Sequence, residues 1–364
     1  MHGPWSDRRG FLVATAAATL AASGSAAAAP VGLAPELDRI CRRWGLPGAV
    51  AMVLRGGVVV AQGAAGVRSV TQRGAVRLGD RFMLGSCGKS MTATIAARLA
   101  ARGLVPLATT LAQAFPGVAM QPAYRAVTLE MLLAHRSALP QVPPLPLPLD
   151  GDPATARARA LPVILALPPA GTPGQTYRYS NLGYIVAGTL LERRTGVTFE
   201  THAVRELFQP LALASAGFGA PRGAEAPRGH TAFGLPLPPD SPLYPPAGAS
   251  PAGLIHLALP GWATYARLHL GVGSAAYLPA AMLARLQRPW GGVLPGYALG
   301  WHVRAGTWGR ELRHNGSDGY WAARIRLVPS RGYAILMATN ILSPNTERAA
   351  DELEATLLRH FPPA

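Results

Sequence analysis

The stretch Leu84-Gly85-Ser86-Cys87-Gly88-Lys89-Ser90 holds the one lysine of the chain, against 33 arginines. Arginine keeps its proton under ordinary conditions, whereas a lysine, with a reference pKa of about 10.4, is neutralised by desolvation or nearby charge. A chain that meets every other need for a cation with arginine is expected to use Lys89 as an amine that can lose its proton. Ser86 stands three residues earlier. With a helix starting near Ser86, positions i and i+3 share a face, which sets the amine beside the hydroxyl. The helix N-terminus adds backbone N–H groups and positive dipole. A nucleophile, an adjacent base and an electropositive pocket are what covalent acyl transfer requires. Cys87 is expected to face away from Lys89, as a small buried side chain near the helix start.

The same residues end like a phosphate-binding loop, G-x-x-x-x-G-K-[ST]. The first glycine of that pattern would fall on Met83, and no clear strand ending in a magnesium-binding aspartate follows, so nucleotide binding is set aside. Two further segments carry chemistry. Tyr177-Arg-Tyr179-Ser180-Asn181 contains Tyr-x-Asn just ahead of a helical pattern, and His314-Asn315-Gly316-Ser317-Asp318-Gly319 lies between two strand-like runs. Tyr177 rivals Tyr179, but only Tyr179 stands two before an asparagine.

Ser-x-x-Lys, Tyr-x-Asn and His-Asn-Gly, in this order and at these separations, resemble the class C β-lactamases and the related serine DD-peptidases and esterases. Thr128-Leu-Glu-Met-Leu-Leu-Ala-His135, Ser250-Pro-Ala-Gly253 and Tyr297-Ala-Leu-Gly-Trp301 extend the likeness from about Pro47 to Asn340. The resemblance implies a β-lactamase/transpeptidase-like α/β (α+β) fold and acylation of Ser86. Lys89 and Tyr179 would share the proton transfers. The backbone N–H groups of Ser86 and of Ser317, on an edge strand, would form the oxyanion hole. Asn181 would hydrogen-bond the substrate's amide or carbonyl, and His314, Asn315 and Gly316 would line the substrate strand, with Gly316 leaving it space.

The chain also departs from the pattern. His314-Asn315-Gly316 replaces the Lys-Thr-Gly or Lys-Ser-Gly of class C β-lactamases, and a histidine of reference pKa about 6.5 is mostly neutral at pH 7 and a weaker anion ligand. Arg136-Ser137-Ala138 replaces Thr-Ser-Gly, and Gly261 stands where relatives carry aspartate. The His-x-Gly form resembles DD-peptidases, aminopeptidases and esterases more than efficient β-lactamases, which implies a D-amino-acid peptide or amide, or a carboxylic ester, as substrate. The other two changes bear on the cleft shape alone. The alternatives are a class C-like β-lactamase of modest efficiency and a non-catalytic ligand-binding protein of the same fold. Loops 138–153 and 218–250 are expected to set specificity.

Around the motifs, 49% hydrophobic and 14% charged residues exclude a disordered chain. The net charge of +16 comes from arginines scattered singly or in pairs, which argues against nucleic acid and leaves room for cell-wall contact. None of the nine histidines is paired at metal-ligand spacing, so neither metal nor cofactor is expected. Two cysteines, Cys41 and Cys87, make no disulfide framework.

A helix is expected over 34–44, then a hairpin turning at Gly56-Gly57. Helical spacing marks 91–102, 128–135, 181–194 and 259–270, and the proline-rich stretches 141–149 and 236–246 mark loops. Strands follow over 297–303, 321–328 and 333–340, then a helix over 346–361. One antiparallel sheet is therefore expected from both chain ends, flanked by helices, with an all-helical domain inserted. The boundaries would be 29–80 and 295–364 for the sheet domain and 81–294 for the insert. Residues 1–28, with Arg8-Arg9 ahead of an apolar run and Ala26-Ala27-Ala28, resemble a twin-arginine signal peptide. That implies a periplasmic or secreted protein with no membrane span in the mature chain.

Overall fold

The computed structural model describes residues 29–72, 74–141 and 146–363, so the expected signal peptide lies outside the described residues. Eleven strands occur among them: β1 (Val31–Gly32), β2 (Gly48–Arg55), β3 (Val58–Gly66), β4 (Arg81–Met83), β5 (Gly217–Phe218), β6 (Ile255–Ala258), β7 (Gly296–Tyr297), β8 (His302–Gly306), β9 (Gly309–Ser317), β10 (Ala322–Val328) and β11 (Tyr333–Thr339). Eight of them form one sheet in the order β1-β3-β2-β11-β10-β9-β8-β7, and β4-β6-β5 form a second, smaller one. The stretch 81–294, expected to be all-helical, thus carries a short sheet of its own. The large sheet is antiparallel except where β1 pairs with β3. Its central seam joins β2 to β11, so the two chain ends make one surface.

Both faces of that seam are covered, so β2 and β11 read as unbroken apolar runs. Alternate residues divide between two cores. Val50, Met52, Leu54 and Leu336 pack toward the helices from the middle of the chain, with Trp262 and Tyr265. Ala51, Val53, Ile335 and Met337 pack on the other side against Leu37, Ile40, Leu353 and Leu357 from the helices Ala34–Trp44 and Thr346–His360. Full burial of each large aliphatic side chain contributes about 1.5–3 kcal/mol. Toward β9 that outer face turns ionic. Arg326 bridges Glu311 (2.5 Å) and Glu354 (2.8 Å), Arg324 reaches Glu347 (2.5 Å), and Arg313 pairs with Glu354. Arginines that looked scattered in sequence here pin the C-terminal helix to the sheet.

The expected hairpin turns at Gly56 and Gly57, both at positive φ (57° and 73°), which the tight connection demands. The expected run 297–303 is not one strand: β7 ends at Tyr297 and β8 begins at His302, with a turn through Gly300 between them. Ser317 does not lie on a sheet edge in the sense expected, because β9 has β10 on one side and β8 on the other. β8, however, pairs only as far as Arg313, opposite His302. Beyond it, His314–Ser317 run free of a strand on that side, and this length of backbone faces the start of the Ser86 helix.

Candidate active site

Ser86 sits in a single 3-10 turn, Gly85–Cys87, that leads straight into the helix Gly88–Ala101. The turn is anchored by Leu84 N–H donating to the Ile255 carbonyl (3.0 Å). Gly85 adopts φ +50°, and a Cβ there would lie 2.2 Å from the Ser317 nitrogen. A Cβ on Gly316 would lie 2.0 Å from the Leu84 carbonyl oxygen and 2.8 Å from the Ser86 nitrogen. These are distances no real side chain tolerates, so the two glycines let the end of β9 close on the serine turn. The backbone nitrogens of Ser86 and Ser317 are thereby brought side by side.

Lys89 is fully buried. Its Nζ lies 2.9 Å from Ser86 Oγ, 2.8 Å from Asn181 Oδ1 and 2.5 Å from the Ala252 carbonyl oxygen. No carboxylate pairs with it among the described residues, and burial pulls the amine down to about 7. The two oxygens of Asn181 and Ala252 are pure acceptors toward nitrogen. In the neutral form of the amine these two oxygens can take its two N–H bonds, which leaves the lone pair for Ser86.

Asn181 opens the helix Asn181–Thr195, capped by Ser180, whose hydroxyl oxygen accepts the Gly183 N–H (3.1 Å) while its O–H donates to the Pro140 carbonyl (2.7 Å). With Oδ1 taken by Lys89, Asn181 has its Nδ2 left to offer a substrate. Tyr179 precedes the cap and stands beside Ser86, its ring centroid 5.0 Å from Lys89 Nζ. Burial pushes its phenol up, and a hydrogen bond with Ser86 works the other way. Tyr177, 41% exposed, lies outside this contact set.

The remaining expected residues separate. His314 is buried, its Nδ1–H donating to the Asn315 carbonyl (2.6 Å) and its Nε2 accepting from Tyr297 OH (3.0 Å). Both ring nitrogens are occupied, and burial, first of all, drives the ring down to about 3, so it is neutral. Asn315 alternates to the opposite face of β9 and donates from Nδ2 to Glu347 Oε2 (3.3 Å), away from Ser86. Cys87 is buried behind the turn against the His314 carbonyl (3.4 Å), and burial raises its thiol, which leaves it no role as a nucleophile. Cys41 and Cys87 are both free.

A small pocket of about 100 Å³ opens at Ser86, lined also by Asn181, Ser317, Asp318, Pro245, Ala249, Ala252, Gly253 and Leu254. The sequence reading missed the Ala252 carbonyl, which carries no side-chain signature beyond the quoted Ser250-Pro-Ala-Gly253. It also missed Asp318, which reads as a turn residue. His135 and Tyr297 lay inside quoted motifs without being given roles. Among the described residues no group of three or more His, Cys, Asp or Glu is placed to hold a metal, and no helix is long and apolar enough to cross a membrane.

A mixed α/β fold with a helix-borne Ser-x-x-Lys pair at a groove beside the sheet defines a serine hydrolase class. The chain belongs to the Beta-lactamase family, whose model matches residues 38–359. It is 26% identical over 290 residues to Penicillin-binding protein 4 of Amycolatopsis lactamdurans, covering 73% of this chain and 74% of that relative. The fold is shared with a D-stereospecific amidohydrolase from Streptomyces sp. (TM-score 0.69, 21% identity, 88% of this chain and 96% of the other). It is also shared with D-alanine carboxypeptidase AmpC from Burkholderia cenocepacia (TM-score 0.71, 19% identity, again 88% and 96%).

Proposed function

We propose that this serine hydrolase is exported and cleaves a D-amino-acid peptide or amide, or a carboxylic ester, through an acyl-enzyme on Ser86. The observation that carries the reading is the buried, carboxylate-free Lys89 at 2.9 Å from Ser86 Oγ. As Oγ bonds to the acyl carbon, its proton passes to the neutral Lys89 amine, and the carbonyl electrons move to an oxygen held by the Ser86 and Ser317 N–H groups. Collapse expels the leaving group, which takes a proton delivered through Tyr179. Water then attacks the ester, its proton follows the same groups in reverse, and Ser86 is released with the free acid.

The substrate choice follows from His314. A neutral ring with both nitrogens engaged offers no cation to the carboxylate of a β-lactam, which favours peptides, amides or esters over efficient β-lactam hydrolysis. Pro245 and Ala249, from the loop 218–250, border the pocket, which supports that loop as a specificity element. The domain division at 81 and 294, and export directed by Arg8-Arg9, rest on sequence pattern. A cell-wall environment accords with the charge of +16.

The test compares residues 29–364 with the Ser86→Ala variant on p-nitrophenyl butyrate, nitrocefin and a D-Ala-D-Ala peptide. Turnover that vanishes with Ser86 supports the reading, and the ranking of the three substrates selects among esterase, β-lactamase and peptidase. Turnover that survives Ser86→Ala overturns it.

A further inference from the structure

Asp318 follows directly after Ser317, whose N–H belongs to the candidate oxyanion hole. It lines the same small pocket as Ser86 and Asn181. Its Oδ1 is committed, accepting the backbone N–H groups of Tyr320 and Trp321, each at 3.0 Å. Its Oδ2 is shut off from bulk solvent and has no hydrogen-bond partner among the described residues. Many of the chain's 33 arginines are seated on carboxylates, yet among the described residues none is paired with this one. The rest of the pocket wall, Pro245, Ala249, Ala252, Gly253 and Leu254, supplies no charge. The neighbouring phenol of Tyr244 is pushed up to about 12, chiefly by burial, and stays uncharged.

A buried carboxylate without a counter-charge is costly, and proteins keep such a group where something arrives to complete it. Burial is also what raises the Asp318 carboxyl to about 6, against the pull of the two turn N–H groups. The position says what should arrive. An acyl carbon held at Ser86 Oγ, with its oxygen at the Ser317 N–H, places the substituents on its α-carbon next to the residue after Ser317. An ammonium group on that carbon supplies both the missing charge and a donor for Oδ2.

We propose that Asp318 selects acyl donors carrying a free α-ammonium group, so that the substrate is an amino-acid amide or a peptide cleaved at its amino end. This rests on the acyl-enzyme reading of Ser86. N-acylated substrates and plain esters lack the cation and leave the carboxylate buried and unpaired, so the site discriminates against them.

The test measures kcat/KM for D-alanine p-nitroanilide and its N-acetyl derivative, with wild type and Asp318→Asn. Asparagine keeps the Oδ1 that holds the turn and removes the charge. Wild type should prefer the free amine by at least about tenfold, and Asp318→Asn should collapse that ratio by a similar factor. Because a ratio is read, general damage to the site does not imitate the result. Wild type preferring the acetylated substrate, or an unchanged ratio in Asp318→Asn, overturns the proposal. Ser86→Ala is run alongside on D-alanine p-nitroanilide. Turnover that survives that substitution overturns the acyl-enzyme reading itself, and the Asp318 proposal with it.

Discussion

His135 holds the backbone on both sides of Tyr179. Its carbonyl accepts the Arg178 N–H (2.9 Å) and its ring Nδ1 accepts the Ser180 N–H (3.0 Å), while the two rings lie 4.2 Å apart between centroids. The residue is fully buried at φ +56°, a region that asparagine tolerates better than most side chains. An acceptor role for Nδ1 fixes the proton on Nε2, and burial together with the nearby Lys89 keeps the ring neutral.

His135→Asn and His135→Leu should therefore separate. Asparagine can present Oδ1 to the Ser180 N–H and should keep kcat within about threefold of wild type. Leucine leaves that N–H unpaired, at a cost of about 1–3 kcal/mol, and should lower kcat at least about thirtyfold with KM little moved. Equal loss in both variants would show that bulk, and not the acceptor, is what matters.

The second prediction concerns pH. In the proposed mechanism Lys89 acts as the base in its neutral form, and burial pulls its amine down to about 7. kcat/KM should rise with pH along a limb centred near 7 and level off above it. Lys89→Arg keeps the charge but removes the titrating amine, so it should lose at least about a thousandfold in kcat/KM. A flat profile between pH 5.5 and 8.5 in wild type would contradict the assignment.

A third prediction follows from linkage on the same residue. The folded-state pKa of Lys89 is depressed, so between about 7 and 10.4 the unfolded chain holds a proton that the folded chain lacks, and stability from this group rises with pH. Lys89→Met removes the effect and leaves the other titrations in place. The stability of wild type minus that of Lys89→Met should therefore shift in favour of wild type by about 2 kcal/mol from pH 7 to pH 9, read by urea unfolding. A difference that stays constant or falls would mean that Lys89 is charged in the folded protein.

Gly316 gives the fourth. An added methyl group would meet the Leu84 carbonyl oxygen at 2.0 Å, against backbone that cannot rotate away. Gly316→Ala should push β9 off the serine turn and separate the Ser86 and Ser317 N–H groups. The expected fall in kcat/KM is about 100-fold or more, the scale of losing one oxyanion donor. Activity near wild type would show that those two groups need not sit together.

The sequence carried most where chemistry fixes an offset. Ser86 and Lys89 three apart, and Tyr179 two before Asn181, could be read because a helix start converts short spacing into contact. The helix Ala34–Trp44 and the hairpin at Gly56-Gly57 were equally plain, since the C-cap Gly45 and the glycine pair mark their ends. The direction of Asn315 was lost because motif spacing does not state on which face of β9 each residue falls. The helix Pro153–Ala166 was hidden by Pro162 inside it. The Ala252 carbonyl on Lys89 could not be seen at all, since any residue type supplies a carbonyl.

The seam between β2 and β11 has a consequence for how the molecule comes into being. The Thr339 hydroxyl donates to the Gly48 carbonyl, 291 positions earlier in the chain, and the middle of the large sheet is closed by its last strand. Pairings of such separation are slow to form, because a long loop must close before any contact rewards it. While the ribosome is still working, β2 and β3 wait as a hairpin without a centre, and the serine turn waits without Ser317. The groove at Ser86 is thus assembled only after synthesis has nearly finished, so a prematurely terminated chain lacks the strands that complete it.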